Sequence, residues 1–232
     1  MDKIKMDILE NKALNSGKNI HALEKLEKIK KMQYPYNMEI MGIKIQVNEN
    51  VYPTSSGLAE LYIETLEKTE KNLSNKKILD YGTGTGFLAI KSSLMGANVT
   101  GLDINPHAIK CAEYNAAQNN TVVDFRESDC LQAIKNDEKF DMVLAGMPWD
   151  NTNAENYIEM SLFDTNANMK TTLFSNADKL LTENGYILMG YSDFMIEKQP
   201  IKTFIDSKIA YEVINKKYIK NSEHFMIKLW YK

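Results

Sequence analysis

Apolar residues along this chain recur at two spacings, and the spacing changes near residue 77. Before it, Ile20, Leu23, Leu26 and Ile29 recur every third position, which predicts one buried face of a helix over residues 19–32. The other face carries Lys25, Lys28, Lys30 and Lys31 and reads as solvated. Residues 1–18 have no clear period and read as a helix fragment or frayed arm. Pro35 breaks the helix. Residues 38–47 predict a short hairpin turning near Gly42, with Ile43, Ile45 and Val47 on one side. A loop over 48–56 leads to a helix over 58–73.

From Lys77 onward, short apolar runs alternate with helical periods. Strands are expected at 78–79, 99–104, 122–125, 140–145 and 186–191, and helices at 85–94, 105–116, 130–134 and 171–181. The punctuation agrees: Gly96 follows a helix end, Asn105-Pro106 supplies a cap and a first-turn proline, and Asn184-Gly185 follows the last helix. Such alternation implies an α/β fold, a parallel sheet with helices on both faces. The tail differs. Residues 209–213 and 225–231 read as two strands joined by a polar turn region, which must therefore pair antiparallel. No repeat or low-complexity linker divides the chain. The expected organisation is a small helix-and-hairpin extension over 1–50, followed by one α/β domain over 51–232.

Composition narrows the function. A chain of 232 residues can bury one sizeable core. No stretch is apolar enough to span a bilayer, and the start is too charged for a secretory signal, so the expected location is cytoplasmic with no membrane partner. Cys111 and Cys130 make no disulfide framework. With His21, His107 and His224 scattered, no metal site is expected; these groups read as core thiols and as surface or packed imidazoles. Arg126 is the only arginine, which makes a nucleic-acid partner less expected, because arginine forks are common on such surfaces.

The strongest chemical signal is Asp80-Tyr81-Gly82-Thr83-Gly84-Thr85-Gly86-Phe87, placed where a strand turns into a helix. Glycines there permit a tight turn and close approach of a ligand. Phe87 stands where a dinucleotide-binding turn wants its third glycine. A second acid, Asp103, ends the next strand at about the twenty-residue distance expected of a carboxylate that binds a ribose.

With Gly101-Leu-Asp-Ile-Asn-Pro106, the acidic Ser128-Asp129-Cys130 and the later Met147-Pro148-Trp149, this series resembles the motifs of class I, Rossmann-like S-adenosylmethionine-dependent methyltransferases. The likeness covers roughly residue 50 to the end, and it leans toward release-factor glutamine and ribosomal-protein methyltransferases. It implies a seven-stranded sheet with an antiparallel end. It also implies S-adenosylmethionine as cofactor and S-adenosylhomocysteine as product. Asp80, Tyr81, Gly82, Thr83, Gly84 and Gly86 would hold the methionine part, Asp103 the ribose, and Ile104 the adenine face. Asp129 would meet the adenine amino group with Ser128 and Cys130 beside it; Asp129 is equally suited to cap a helix from Leu131. Thr54 and Ser55 would contact the methionine carboxylate or cap the following helix.

Residues 145–150, Ala-Gly-Met-Pro-Trp-Asp, resemble the Asn-Pro-Pro-Tyr segment of enzymes that methylate amide or amine nitrogens. Gly146 replaces the polar residue and Met147 the first proline, so one side-chain acceptor is missing. Met147, Trp149 and Asp150 are the candidate catalytic residues, and Gly146 is counted with the residues expected to bind the cofactor. Trp149 reads as a wall beside the sulfonium or as a rim aromatic, and Asp150 as proton acceptor or as a loop cap. The long excursion over 150–170, with the N-terminal extension, is expected to form a substrate lid. The expected activity is methyl transfer to a nitrogen of a protein, peptide or small amine. The alternatives are a small-metabolite enzyme acting at nitrogen or oxygen, and a non-catalytic cofactor-binding partner of another methyltransferase.

Overall fold

A computed structural model describes residues 19–54, 56–70, 72–196, 208–219 and 221–232. The readings made for residues 1–18 and for Ser55 lie outside these. Helix α1 (Ile20–Ile29) starts at Asn19, whose Oδ1 accepts from the His21 and Ala22 amides at 2.9 and 3.4 Å. Of its period-three stripe, Leu23, Leu26 and Ile29 are buried and Ile20 is partly so. Strands β1 (Tyr36–Ile40) and β2 (Ile43–Val47) form an antiparallel hairpin of their own. Met41 and Gly42 both have positive φ, the geometry of a two-residue turn matched to strand twist.

Helix α2 (Ser56–Thr69) then leads to β3 (Lys77–Tyr81), α3 (Phe87–Leu94), β4 (Asn98–Asp103), α4 (Pro106–Gln118), β5 (Asp124–Glu127) and β6 (Phe140–Gly146). After it come a short α5 (Tyr157–Met160), α6 (Asn168–Ser175) and α7 (Ala177–Leu180), then β7 (Leu181–Ser192), α8 (Asp193–Ile196), β8 (Ile209–Ile219) and β9 (Ser222–Tyr231). The main sheet has seven strands in the order β5-β4-β3-β6-β7-β9-β8. The first five are parallel, and β9 pairs antiparallel with both β7 and β8. The central strands are apolar on both faces because both are covered. Ile78, Met142, Leu144 and Leu188 face a core completed by α2, α3 and the β1–β2 hairpin. Leu79, Val143, Ile187 and Met189 face α6 and α7.

Several expected boundaries move. The third strand begins at Asp124 rather than at Val122, which is 90% exposed. Residues 130–134 are turns, not a helix, because the Ser128 hydroxyl accepts from the Ala133 amide at 3.0 Å and donates to the Cys130 carbonyl at 2.9 Å. The helix expected over 171–181 is two, meeting at Asn176. The C-terminal hairpin is longer than its apolar residues suggest, pairing on to Ile219 and Ser222. Among the described residues no helix is long and apolar enough to cross a membrane.

Candidate active site

The chain leaves β3 in one direction across the sheet to β4 and β5, and in the other to β6 and β7, so a crevice opens at the carboxyl ends of these strands. A cavity of about 860 Å³ lies there, within the range of roughly 300–1,000 Å³ usual for ligand sites.

One half is built by the turn after β3. Gly82, Gly84 and Gly86 all have positive φ. At Gly86 a side chain is also barred by packing, since a Cβ would lie 2.9 Å from that of Ala112. At Gly84 a Cβ would meet nothing within 4 Å, because that glycine faces the cavity. Asp80 is 2% exposed, and its Oδ2 accepts from Thr83 Oγ1 at 2.7 Å and from the Ala89 amide at 3.2 Å. Burial pushes its pKa up to about 6 against those hydrogen bonds. Asp103 receives the Gly84 amide at 2.8 Å and the Asn105 amide at 2.9 Å, one on each oxygen. Each oxygen keeps a further lone pair, and the carboxyl lines the cavity. Burial raises its pKa as well.

Tyr81, Ile104, Ser128, Asp129 and Cys130 line the same half. The Tyr81 hydroxyl donates to the Met169 carbonyl at 3.2 Å. Ser128 is engaged in the turn described above, which leaves Asp129 exposed with a contact of 3.4 Å from Gln132 Nε2. Cys130 is half-buried at positive φ and accepts from Asn168 Nδ2 at 3.3 Å. Thr54 also lines the cavity and shares a hydrogen bond with Thr85 Oγ1. Asn115 ties the N-terminal hairpin to this half: its Nδ2 donates to the carbonyls of Gln46 and Thr85, each at 2.9 Å.

The other half lies beyond β6. Gly146, Met147, Pro148 and Trp149 line it, and a Cβ on Gly146 would meet nothing within 4 Å. The missing polar side chain of the Asn-Pro-Pro-Tyr pattern is thus replaced by open space. Trp149 packs on Phe194 with ring centroids 4.9 Å apart.

Asp150 departs from its expected place. It does not line the cavity; its Oδ2 accepts the Asn19 amide at 2.6 Å, and its Oδ1 accepts the Thr152 amide and hydroxyl at 2.7 and 2.6 Å. A carboxylate with three donors inside the fold ties segments together.

Several residues that sequence reasoning passed over belong to the site. Tyr62 donates to the Ala145 carbonyl at 2.6 Å and receives the Gly190 amide at 2.5 Å, bridging the ends of β6 and β7. Lys170, buried just outside the cavity, donates through Nζ to the Pro148 carbonyl at 2.9 Å and sits 3.4 Å from Asp164 Oδ2. Burial lowers its pKa to about 8. Ser192 and His224 line the wall beside Phe194, and Glu24, Lys25 and Lys28 of α1 line the roof. The basic face of α1 is therefore only partly a solvated one. A stripe of small spacing signals buries α1, but nothing in its period says which of its polar residues would overhang a site.

A family model described as a methyltransferase domain matches residues 72–227. A Methanocaldococcus jannaschii protein, provisionally named a protein N5-glutamine methyltransferase, is 35% identical over 127 residues, which is 54% of this chain and 60% of its own length. A release factor glutamine methyltransferase of Flavobacterium psychrophilum is 32% identical over 133 residues, 55% of this chain and 46% of its own length. The match thus spans about half the length of these relatives. Among solved structures, a ribosomal protein L11 methylase from Lactobacillus delbrueckii superposes with a TM-score of 0.56 at 20% identity, covering 78% of this chain and 82% of that one. That last likeness is one of fold.

Proposed function

We propose that this chain, an enzyme that belongs to the methyltransferase-domain family, transfers a methyl group from S-adenosylmethionine to a nitrogen of a protein, peptide or small amine. The observation that carries the reading is one cavity with two unlike halves, the glycine turn with Asp80 and Asp103 on one side and Gly146 to Trp149 on the other.

The first half fits the cofactor. Asp103 keeps lone pairs for two ribose hydroxyls, Gly84 leaves room for backbone approach, and Asp80 offers a buried negative charge to a cationic amino acid moiety. Ile104, Ser128, Asp129 and Cys130 would hold the base, and Thr54 the carboxylate. Bound there, S-adenosylmethionine supplies a methyl group on a positively charged sulfur. The protein's contribution is alignment and exclusion of water. Met147 and Trp149 would wall the acceptor, and the open space at Gly146 leaves backbone carbonyls to receive its hydrogens. Helix α1 and the segment after Asp150 serve as the lid of this half.

The names of the relatives favour a protein acceptor. One observation favours the second reading, a small metabolite methylated at nitrogen or oxygen: α1 already roofs the cavity, and Gly146 offers no amide-reading side chain.

Radiolabelled S-adenosylmethionine and extract of a host lacking the gene test these readings. Label in the protein fraction supports a protein nitrogen, and label confined to small molecules supports the metabolite enzyme. The ribose assignment has its own test. Asp103→Ala is expected to abolish calorimetric binding of S-adenosylmethionine while the far-ultraviolet dichroism stays native. Unchanged affinity in that variant sinks the assignment.

A further inference from the structure

An ammonium must lose a proton before its nitrogen can be methylated, and a hydroxyl loses one as it is methylated; Asp150, held by three donors, does not line the cavity to take it. Of the other acids lining the cavity, Glu24 sits on the roof helix α1, and three are committed to the fold. Asp80 and Asp103 hold the glycine turn, and Asp164 accepts from the amides of Met169 and Lys170 and faces the Lys170 ammonium. Asp129 stands at the far, β5 end.

On the acceptor side, β7 brings Gly190 opposite Gly146, and two residues further, on the same strand face, is Ser192. Ser192 pairs in register with His224 of β9. Ser192 Oγ and His224 Nδ1 share a hydrogen bond of 2.6 Å, and both residues line the cavity. The imidazole packs edge-on against Phe194 with centroids 6.1 Å apart, and Phe194 packs on Trp149. The pair therefore belongs to the same wall as the candidate acceptor residues.

We propose that Ser192 and His224 form a proton relay that deprotonates the methyl acceptor. This rests on the methyl-transfer reading above. The acceptor's lone pair forms the new bond to carbon while the sulfur–methyl bond breaks and its electron pair stays on sulfur. The acceptor's proton passes to Ser192 Oγ as the serine's own proton moves to His224 Nδ1. The imidazolium then returns its proton to solvent. The products are a neutral thioether and a methylated acceptor, with no redox partner required.

The surroundings suit a neutral imidazole. Burial lowers the His224 pKa, opposed by Asp193 on α8 and by a hydrogen bond to the backbone of Ile219. Lys217, the register partner on β8, has its ammonium on Glu64 at 2.7 Å; Glu223 receives Lys216 at 2.9 Å; and the His21 ring packs on Phe194 with centroids 5.1 Å apart. With Nδ1 facing the serine, the relay requires the ring proton on Nε2.

Nitrogen-15 NMR of the three histidines, with S-adenosylhomocysteine bound, reads that tautomer directly. The relay expects Nε2–H at His224, and a His224 titration that moves in Ser192→Ala while those of His21 and His107 stay. A proton on Nδ1 overturns it. In single-turnover transfer of labelled methyl into the extract, His224→Gln and Ser192→Ala should each slow the reaction about a hundredfold. S-adenosylhomocysteine affinity should hold within about twofold, and Ser192→Thr should restore rate. Full rate in His224→Gln defeats the relay alone, whereas no label from the wild type defeats the transfer reading and the relay's role with it.

Discussion

Tyr62 holds the floor of the cavity together, and removing its hydroxyl is the sharpest test of how the two halves are joined. The side chain is 2% exposed. Its oxygen donates to the Ala145 carbonyl at 2.6 Å and accepts the Gly190 amide at 2.5 Å. Burial pushes the phenol pKa up, so the hydroxyl stays protonated throughout the accessible pH range. Tyr62→Phe keeps the ring and leaves a buried N–H without its partner, a loss of about 1–3 kcal/mol. The carbonyl retains a second lone pair, so its loss is nearer the net value of one hydrogen bond, about 0.5–1.5 kcal/mol. The sum is roughly 2–4 kcal/mol, or a Tm lower by about 4–16 °C for a chain of this size. Urea unfolding at 25 °C with scanning calorimetry measures both. A variant within about 0.5 kcal/mol of the wild type refutes the reasoning, because it means that Gly190 finds its partner elsewhere. The ring itself explains the glycine, since a Cβ at position 190 would lie 2.8 Å from Tyr62 Cε2.

Trp149→Ala should leave cofactor affinity nearly intact by calorimetry and lower turnover, since Trp149 packs on Phe194 in the acceptor wall; loss of cofactor binding instead would show that the division of the cavity is wrong. Asp80, raised from 3.8 to about 6, gives a pH test with a defined sign. The folded state holds this proton more tightly than the unfolded one, so its contribution to stability is full below pH 3.8 and is lost as pH rises through about 6, a span of about 3 kcal/mol. Asp80→Asn should lack that decline in denaturant titrations across the window, and parallel stability curves for the two proteins would rule the shift out.

The half of the site that was legible in the sequence is the half built by neighbours in the chain. The glycine turn, Asp103 at a strand end and Asn105-Pro106 at a helix start each combine a local conformation with a local hydrogen bond. The less legible features depend on pairing or on competition. Residues 215–219 are polar enough to read as a turn region, yet backbone pairing asks nothing of side chains, so β8 continues to Ile219 and brings β9 up to the cavity. Ser192 and His224 are 32 positions apart, and only the register of β7 on β9 brings them together. The turn after Ser128 differs from the expected helix because a serine hydroxyl there satisfies the backbone in its place. In α2, Tyr62 has the spacing of a core aromatic, and its burial is what the period reports; the hydroxyl's two strand-end partners leave no trace in that period.

Asp150 shows how chemistry and architecture can be confused when a residue type alone is read. An acid directly after an acceptor motif invites a catalytic role, but three donors hold it inward, as buried polar groups require. One of those donors is the amide of Asn19, the residue that caps α1. The same asparagine donates through Nδ2 to the Phe194 carbonyl at 2.9 Å. The roof helix is therefore tied at its first turn to the acceptor segment through Asp150, and to α8, just past β7, through Phe194. Leu23 and Leu26 pack with Leu162 and Phe163, which return beside Trp149. A change at Asp150 acts on how the roof sits over the acceptor half, so a loss of turnover there reports alignment, while proton removal is left to groups that face the cavity.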